Sequence, residues 1–235
     1  MKSIIIGDIH GCIEPLRKLL DVLAPDPAAD RLIFLGDLFD RGPESWEVFR
    51  FVKKLEAVFG ERFVLLRGNH EDYLLQEKLS FTQRLVWDRV GRGTTVRSFK
   101  QHGKKMEDAA PWLREHAVMY YREKGFQCVH AGLKIDPIEM NDAYTMLHDH
   151  GVVMENKYSG PLTVTGHIAL EKPTWFAGDG KTARELKTGP LYPLPGRGII
   201  CIDTGCGKGG RLTAMVIEGR KFLLYDTDEK DMAAG

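Results

Sequence analysis

Three short stretches of the chain carry residue types suited to metal and acid–base chemistry: Gly7-Asp8-Ile9-His10-Gly11, Gly36-Asp37-Leu38-Phe39-Asp40-Arg41-Gly42 and Gly68-Asn69-His70-Glu71. Two more follow, His130-Ala131-Gly132 and Gly166-His167. Carboxylates such as Asp8 and Asp37 repel one another in a shared crevice unless cations neutralise them, and neutral imidazoles are common ligands of such cations. Oxygen and nitrogen donors without thiolate favour Mn, Fe or Zn over Ca. A carboxylate can bridge two ions, and flanking glycines let the backbone approach them with no Cβ in the way.

Such groups converge only if the chain delivers them to one place. Apolar runs at residues 4–6, 32–35 and 63–66 each stop at Gly or Arg-Gly just before one of the first three motifs, and read as buried parallel strands. Apolar residues at helical spacing over 14–23 and 43–59, with Pro43 suited to a first turn, give the order β-α-β-α-β. Ligands of open α/β sheets gather at the carboxyl ends of the strands, where these motifs stand. Residues 126–129, 162–165, 198–202, 212–217 and 221–225 read as further strands, the last two joined by Glu218-Gly219-Arg220. Lacking long helices between them, they point to a second, partly antiparallel sheet. Residues 73–121 read as a mostly helical, cap-like insert, 178–198 as a long surface loop, and the tail after Asp226 as frayed.

With 235 residues and ordinary composition, the chain reads as one α/β domain spanning 1–235. Its 33 Lys and Arg balance 33 Asp and Glu, which argues against a dedicated nucleic-acid or membrane-surface binder. Cys12, Cys128, Cys201 and Cys206 form no CxxC pair and fit reduced thiols in a cytoplasm. The apolar run after Lys2 is too short for a signal or a membrane span.

GDIHG, GDLFDRG, GNHE, HAG and a later GH, in this order, resemble the calcineurin-type metallophosphoesterases, specifically their phosphoprotein phosphatase branch; Ile202-Asp203-Thr204-Gly205-Cys206 and Gly209-Gly210-Arg211-Leu212-Thr213-Ala214 extend the likeness. That branch includes Ser/Thr protein phosphatases and symmetrical dinucleoside tetraphosphatases. The resemblance implies a sandwich of two mixed β-sheets flanked by helices. It implies one divalent ion on Asp8, His10 and Asp37, and a second on Asp37, Asn69, His130 and His167, with Mn expected and Fe or Zn as alternatives. A hydroxide bridging the ions would attack phosphorus. By the same resemblance His70 protonates the leaving alkoxide and Asp40 orients it, a sensible division because a carboxylate partner fixes the imidazole tautomer. Substrates would be phosphoproteins, as for a bacterial-type Ser/Thr phosphatase, or alternatively dinucleoside tetraphosphates; oligomeric state is left open.

Arg41 is placed to grip phosphate oxygens bidentately. Arg67 has two readings, a second phosphate ligand or a structural ion pair. The family usually has a further phosphate-binding Arg between its last two histidine motifs, yet residues 131–168 contain none; His148 and His150 occupy that interval, as phosphate contacts or as a solvated helix end. Glu71 reads as a cap for the helix near His70, and Asp203 as structural or supporting. His102 and His116 are assigned to the fold, and Cys12 alone of the thiols to the neighbourhood of the metals. Lys78, Arg84, Arg89, Arg92, Arg97, Lys100, Lys104 and Lys105 face only Asp88 across 78–105, either a recruiting surface or a solvated one. Phe81 and Trp87 read as anchors of that insert or, alternatively, as rings that stack a base. A non-catalytic module on the same fold would have lost His70 or the ligands first, and all are present.

Overall fold

The computed structural model describes residues 1–227, without the side chains of Val152 and Val153. The tail expected to fray lies outside them, apart from Thr227, whose backbone N–H donates to the Leu212 carbonyl at 3.2 Å. Strands β1 (Ser3–Ile6), β2 (Arg31–Phe34) and β3 (Phe63–Leu66) alternate with helices α1 (Ile13–Leu23) and α2 (Ser45–Phe59) as the spacing predicts. Pro43 is not in the first turn of α2, which begins two residues later behind Glu44. Then come α3 (Asn69–Leu75), α4 (Phe81–Arg89), α5 (Arg92–Gln101), α6 (Ala110–His116) and the strands β4 (Ala117–Val118), β5 (Tyr120–Glu123), β6 (Phe126–Val129). The remainder is α7 (Ala143–His148), α8 (Gly151–Glu155), β7 (Thr163–Thr165), β8 (Thr174–Phe176), β9 (Ala183–Glu185), β10 (Tyr192–Pro193), β11 (Ile199–Cys201), β12 (Thr213–Glu218) and β13 (Lys221–Asp226).

Two mixed sheets result, in the orders β10-β13-β12-β1-β2-β3-β4 and β5-β6-β7-β11-β8-β9, with helices on the outer faces. Period-two alternation in β1 sets the layers: Ile4 and Ile6 pack with Leu16, Leu19 and Val48 of α1 and α2, while Ile5 faces Val164, Ile200 and Ile202 of the other sheet. The outer face of the second sheet, Val129, Ile199 and Cys201, is covered by Ile138 and Met146.

Four readings are corrected. The β12–β13 hairpin belongs to the first sheet, where β12 runs antiparallel to β1 with Ile4 opposite Val216; its residues are buried on both faces, so alternation could not reveal the partner. Residues 178–198 are not simply loop: β9 and β10 edge the two sheets, but every residue of β9 is exposed, leaving no apolar period to read. Tyr120 and Tyr121 lie in β5 rather than in the helical insert. The insert is no separate cap, because Phe99 and Trp112 share a core with α2 through Trp46 and Phe49, at 5.1 Å for Trp46–Phe99 and 5.5 Å for Phe49–Trp112. No helix among the described residues is long and apolar enough to cross a membrane.

Candidate active site

The exits of β1, β2, β3, β6, β7 and β11 meet at one end of the sandwich and bring Asp8, His10, Asp37, Asn69, His130, His167 and Asp203 together. Interlocked backbones hold them: the amides of Ile9 and His10 both donate to the Asp37 carbonyl (3.2 and 2.8 Å), Gly11 to Leu38 (2.8 Å), and Gly42 back to His10 (2.9 Å). His10, Asp37, Asp40, Arg41 and His167 adopt left-handed φ of 49°, 52°, 69°, 65° and 67°. Each costs about 1–2 kcal/mol for a residue with a Cβ, so this strain is concentrated in the segments that carry the chemistry and offset by these contacts. Glu71 does more than cap α3: its buried carboxylate accepts from the amides of Asp37 (2.7 Å), Leu38 (2.8 Å) and Gly68 (3.0 Å), fixing the second motif to the third. Gly166 has no spare room, for a Cβ there would fall 1.9 Å from Asp8 Oδ1.

The donor set fits divalent cations on atomic grounds. His130 Nδ1 lies 2.8 Å from the Leu35 carbonyl and must donate to it, so a neutral ring presents Nε2 as an acceptor, 3.0 Å from Asn69 Oδ1. His10 repeats the arrangement: Nδ1 donates to the Phe39 carbonyl at 2.7 Å, and Nε2 faces Asp37 Oδ2 at 3.5 Å. Imidazoles that spend one nitrogen on a backbone carbonyl and present the other are typical metal ligands. Asp8 Oδ1, His10 Nε2 and His167 Nε2 are buried without hydrogen-bond partners. Ligand atoms of His10, Asp37 and His70, and likewise of Asp37, His130 and His167, cluster within 4.8 Å, with Asp37 common to both groups.

Electrostatics agree. Burial, then the charges of Asp203 and Asp37, push the Asp8 carboxyl well above its usual range, a repulsion that cations relieve. Burial opposes ionisation of Asp37 as well, and positive charge at the surrounding positions, His130 first, holds its carboxyl below the usual range, a part that cations would take over where the imidazoles are neutral ligands. Burial lowers His10 and takes His167 down to about 2, keeping both neutral as ligands must be. Asp203 stands out: 1% exposed, one oxygen accepting from the Gly205 amide at 2.8 Å and the other, Oδ2, without a partner.

His70 Nδ1 is 2.6 Å from Asp40 Oδ2, and its Nε2 lies 3.8 Å from Asp37 Oδ2. Burial lowers its basicity, but the Asp37 charge and the Asp40 hydrogen bond outweigh that and raise its pKa. Two residues of the insert hold Asp40 in turn: Trp87 Nε1 donates to Oδ2 and the Thr95 hydroxyl to Oδ1, both at 2.6 Å, while the Asp40 amide donates to Thr95 Oγ1 at 2.8 Å. Sequence motifs contain no sign of Thr95, and Trp87, anchored as expected, also has this polar task. Phe81, read as an anchor, is instead 80% exposed.

The positive charge of Arg41 acts on Asp8, Asp203, His10 and His70 alike. Arg67 instead makes an ion pair with Asp72 at 3.5 Å. His150 lies against the His167 ring at 4.7 Å, and half-buried His148 against Tyr73 at 5.9 Å, so the histidines of the arginine-free interval do border the site. Cys206 as well as Cys12 is close by, the Cys12 thiol donating to the Cys206 carbonyl at 3.8 Å. His102 and His116 serve the fold, His102 on Glu47 and His116 stacked on Trp112.

Relatives share this frame. A protein of Pseudomonas fluorescens (strain Pf0-1) named bis(5'-nucleosyl)-tetraphosphatase, symmetrical, is 35% identical over 99% of this chain and 94% of its own. One of the same name from Pseudomonas putida (strain W619) is 27% identical over 96% and 93%. Among solved structures, a metallophosphoesterase from Sphaerobacter thermophilus superposes with a TM-score of 0.65 at 16% identity, over 97% of this chain and 89% of that one. A Saccharomyces cerevisiae protein serine/threonine phosphatase does so with 0.62 at 14%, over 97% and 80%; both likenesses concern the fold alone. The calcineurin-like phosphoesterase model matches residues 1–211. By that match, and by the two-sheet architecture it shares with these structures, the chain belongs to the calcineurin-like phosphoesterase family.

Proposed function

We propose that the chain hydrolyses nucleotide polyphosphates, a dinucleoside tetraphosphate foremost, on a two-ion centre. Asp8, His10 and Asp37 would hold one ion, and Asp37, Asn69, His130 and His167 the other, with Mn the expected metal and Fe or Zn able to replace it. The observation that carries the reading is the clustering of ligand atoms of His10, Asp37 and His70, and of Asp37, His130 and His167, within 4.8 Å, beside the buried and unpartnered Asp8 Oδ1, His10 Nε2 and His167 Nε2, an arrangement that cations would satisfy. When bound, such ions lower the pKa of water and polarise phosphate oxygens.

The chain's own groups do the rest. Arg41 offers a planar, always-charged fork to the phosphate oxygens. His70 donates from Nδ1 to Asp40, which orients the ring, and would carry on Nε2 the proton that the leaving oxygen takes. Arg67 pairs with Asp72 at 3.5 Å, which supports the structural one of its two readings. The relatives' names, over nearly the whole chain, support dinucleoside tetraphosphate ahead of the phosphoprotein that the sequence motifs suggest first.

Comparing kcat/KM of the Mn-loaded protein on diadenosine tetraphosphate and on a phosphoserine peptide tests this. The expected result is a large excess for the tetraphosphate with ADP as product; a large excess for the peptide makes the chain a protein phosphatase.

A further inference from the structure

One wall of the site is lined with rings that hold no metal and move no proton. Tyr73 stands edge-on to His70 at 6.3 Å and stacks on Trp87 at 5.7 Å and 26°. Its next neighbour outward is His148 at 5.9 Å, and on His148 lies Tyr144, nearly parallel at 5.3 Å and 25°. This run of rings begins in the core, with Trp87 4% and Tyr73 8% exposed, and ends in solvent, with Tyr144 68% exposed.

A lone exposed aromatic needs no explanation, but this one is positioned by the site. The helix that carries it, α7, is bound to the loop of His130, because the Ala131 amide donates to the Met146 carbonyl at 2.8 Å. Asp142 caps the helix through the Thr145 amide at 2.7 Å, and Met146 and Leu147 are buried beneath it. Helix α7 is therefore fixed beside the His130 loop, and the Tyr144 ring lies against His148 with most of its surface open to solvent. Burial lowers the basicity of His148, so the pair offers a neutral π surface rather than a charge for phosphate. A flat, neutral ring within reach of a phosphoryl-binding centre is what a nucleobase stacks on.

We propose that the open face of Tyr144, backed by His148, is a nucleobase-stacking subsite, which takes the base of the nucleotide whose phosphate occupies the centre. The proposal rests on the nucleotide reading of the function and adds the residue that recognises the nucleoside end. Every base has a π face, so the subsite selects for a nucleoside without strict choice among bases.

The test is steady-state kinetics of the Mn-loaded wild type, Tyr144→Ala and Tyr144→Phe on diadenosine tetraphosphate, with inhibition constants for ADP and for base-free pyrophosphate. Tyr144→Ala should raise KM and the ADP inhibition constant by about tenfold, the scale of one lost base stack, with kcat little altered, while Tyr144→Phe stays near wild type. Pyrophosphate inhibition should be the same in both variants. Unchanged KM and ADP inhibition in Tyr144→Ala, with the wild type active on the tetraphosphate, overturns the subsite and leaves the function standing. A matching rise in the pyrophosphate constant also overturns it, by showing that the ring acts through the shape of the centre. A wild type that prefers a phosphoserine peptide to the tetraphosphate overturns both.

Discussion

At His70 the proposed proton transfer has one direction. Nδ1 is committed to Asp40 at 2.6 Å, which leaves Nε2 for the phosphate of the proposed reaction. Replacing His70 with Asn should lower turnover on a phosphoserine peptide by about 10²-fold or more, the usual scale for a general acid, with metal content by elemental analysis unchanged. Loss of metal along with turnover would make His70 a ligand instead, a role its place beside Asp37 and His10 permits. The size of the loss carries further information. An alkoxide needs its proton more than a departing phosphate does, so the same variant should lose less on a dinucleoside tetraphosphate. His70, Asp40 and the six candidate ligands were all legible as residues, because each sits in a short motif with its glycines. Asp203 was legible only as a supporting residue; its unpartnered oxygen beside Asp8 depends on where β11 ends, which no motif encodes.

Among the elements, the insert changes most on passing from sequence to structure. Its helices read as a cap, yet Thr95 of α5 and Trp87 of α4 hold the carboxylate that holds the His70 imidazole. They lie 55 and 47 positions from Asp40, and nothing local marks either, since an ordinary threonine gains this role only once α5 docks on α2. Thr95→Ala should lower kcat by roughly 10-fold or more, as losses of supporting hydrogen bonds around such sites do, with little change in KM. Thr95→Ser, which keeps the hydroxyl, should restore most of it; if Ser fails as badly as Ala, packing of the methyl matters rather than the hydrogen bond. The early β-α-β-α-β order could be read because buried strands and amphipathic helices have distinct periods. Strand β9 could not, because it is wholly exposed and has no apolar period to read.

For the whole molecule, the sandwich closes three carboxylates, Asp8, Asp37 and Asp203, into one buried crevice. Ions that neutralise them bind the folded state alone, so their removal must cost stability. Chelation should lower the melting temperature by on the order of 5 °C for a chain of this size at saturating metal, and added Mn should restore both melting temperature and activity. An identical melting curve with and without chelator would mean that the site holds no ions.

The sequence by itself determined the kind of chemistry. Carboxylate, imidazole and amide groups at the ends of apolar runs carry their meaning locally, through the turn each motif forms and the cost of crowding charge without cations. Tertiary structure decided what lies around that chemistry: that the insert braces Asp40, that Glu71 ties two motifs together, that Arg67 is engaged by Asp72, and that Tyr144 stands over His148 at the rim. The physical reason is that these pairings are long-range contacts between residues of unremarkable type. They arise when buried faces of separate elements dock, and the hydrophobic burial that drives docking is non-directional, leaving no mark of the partner in either segment.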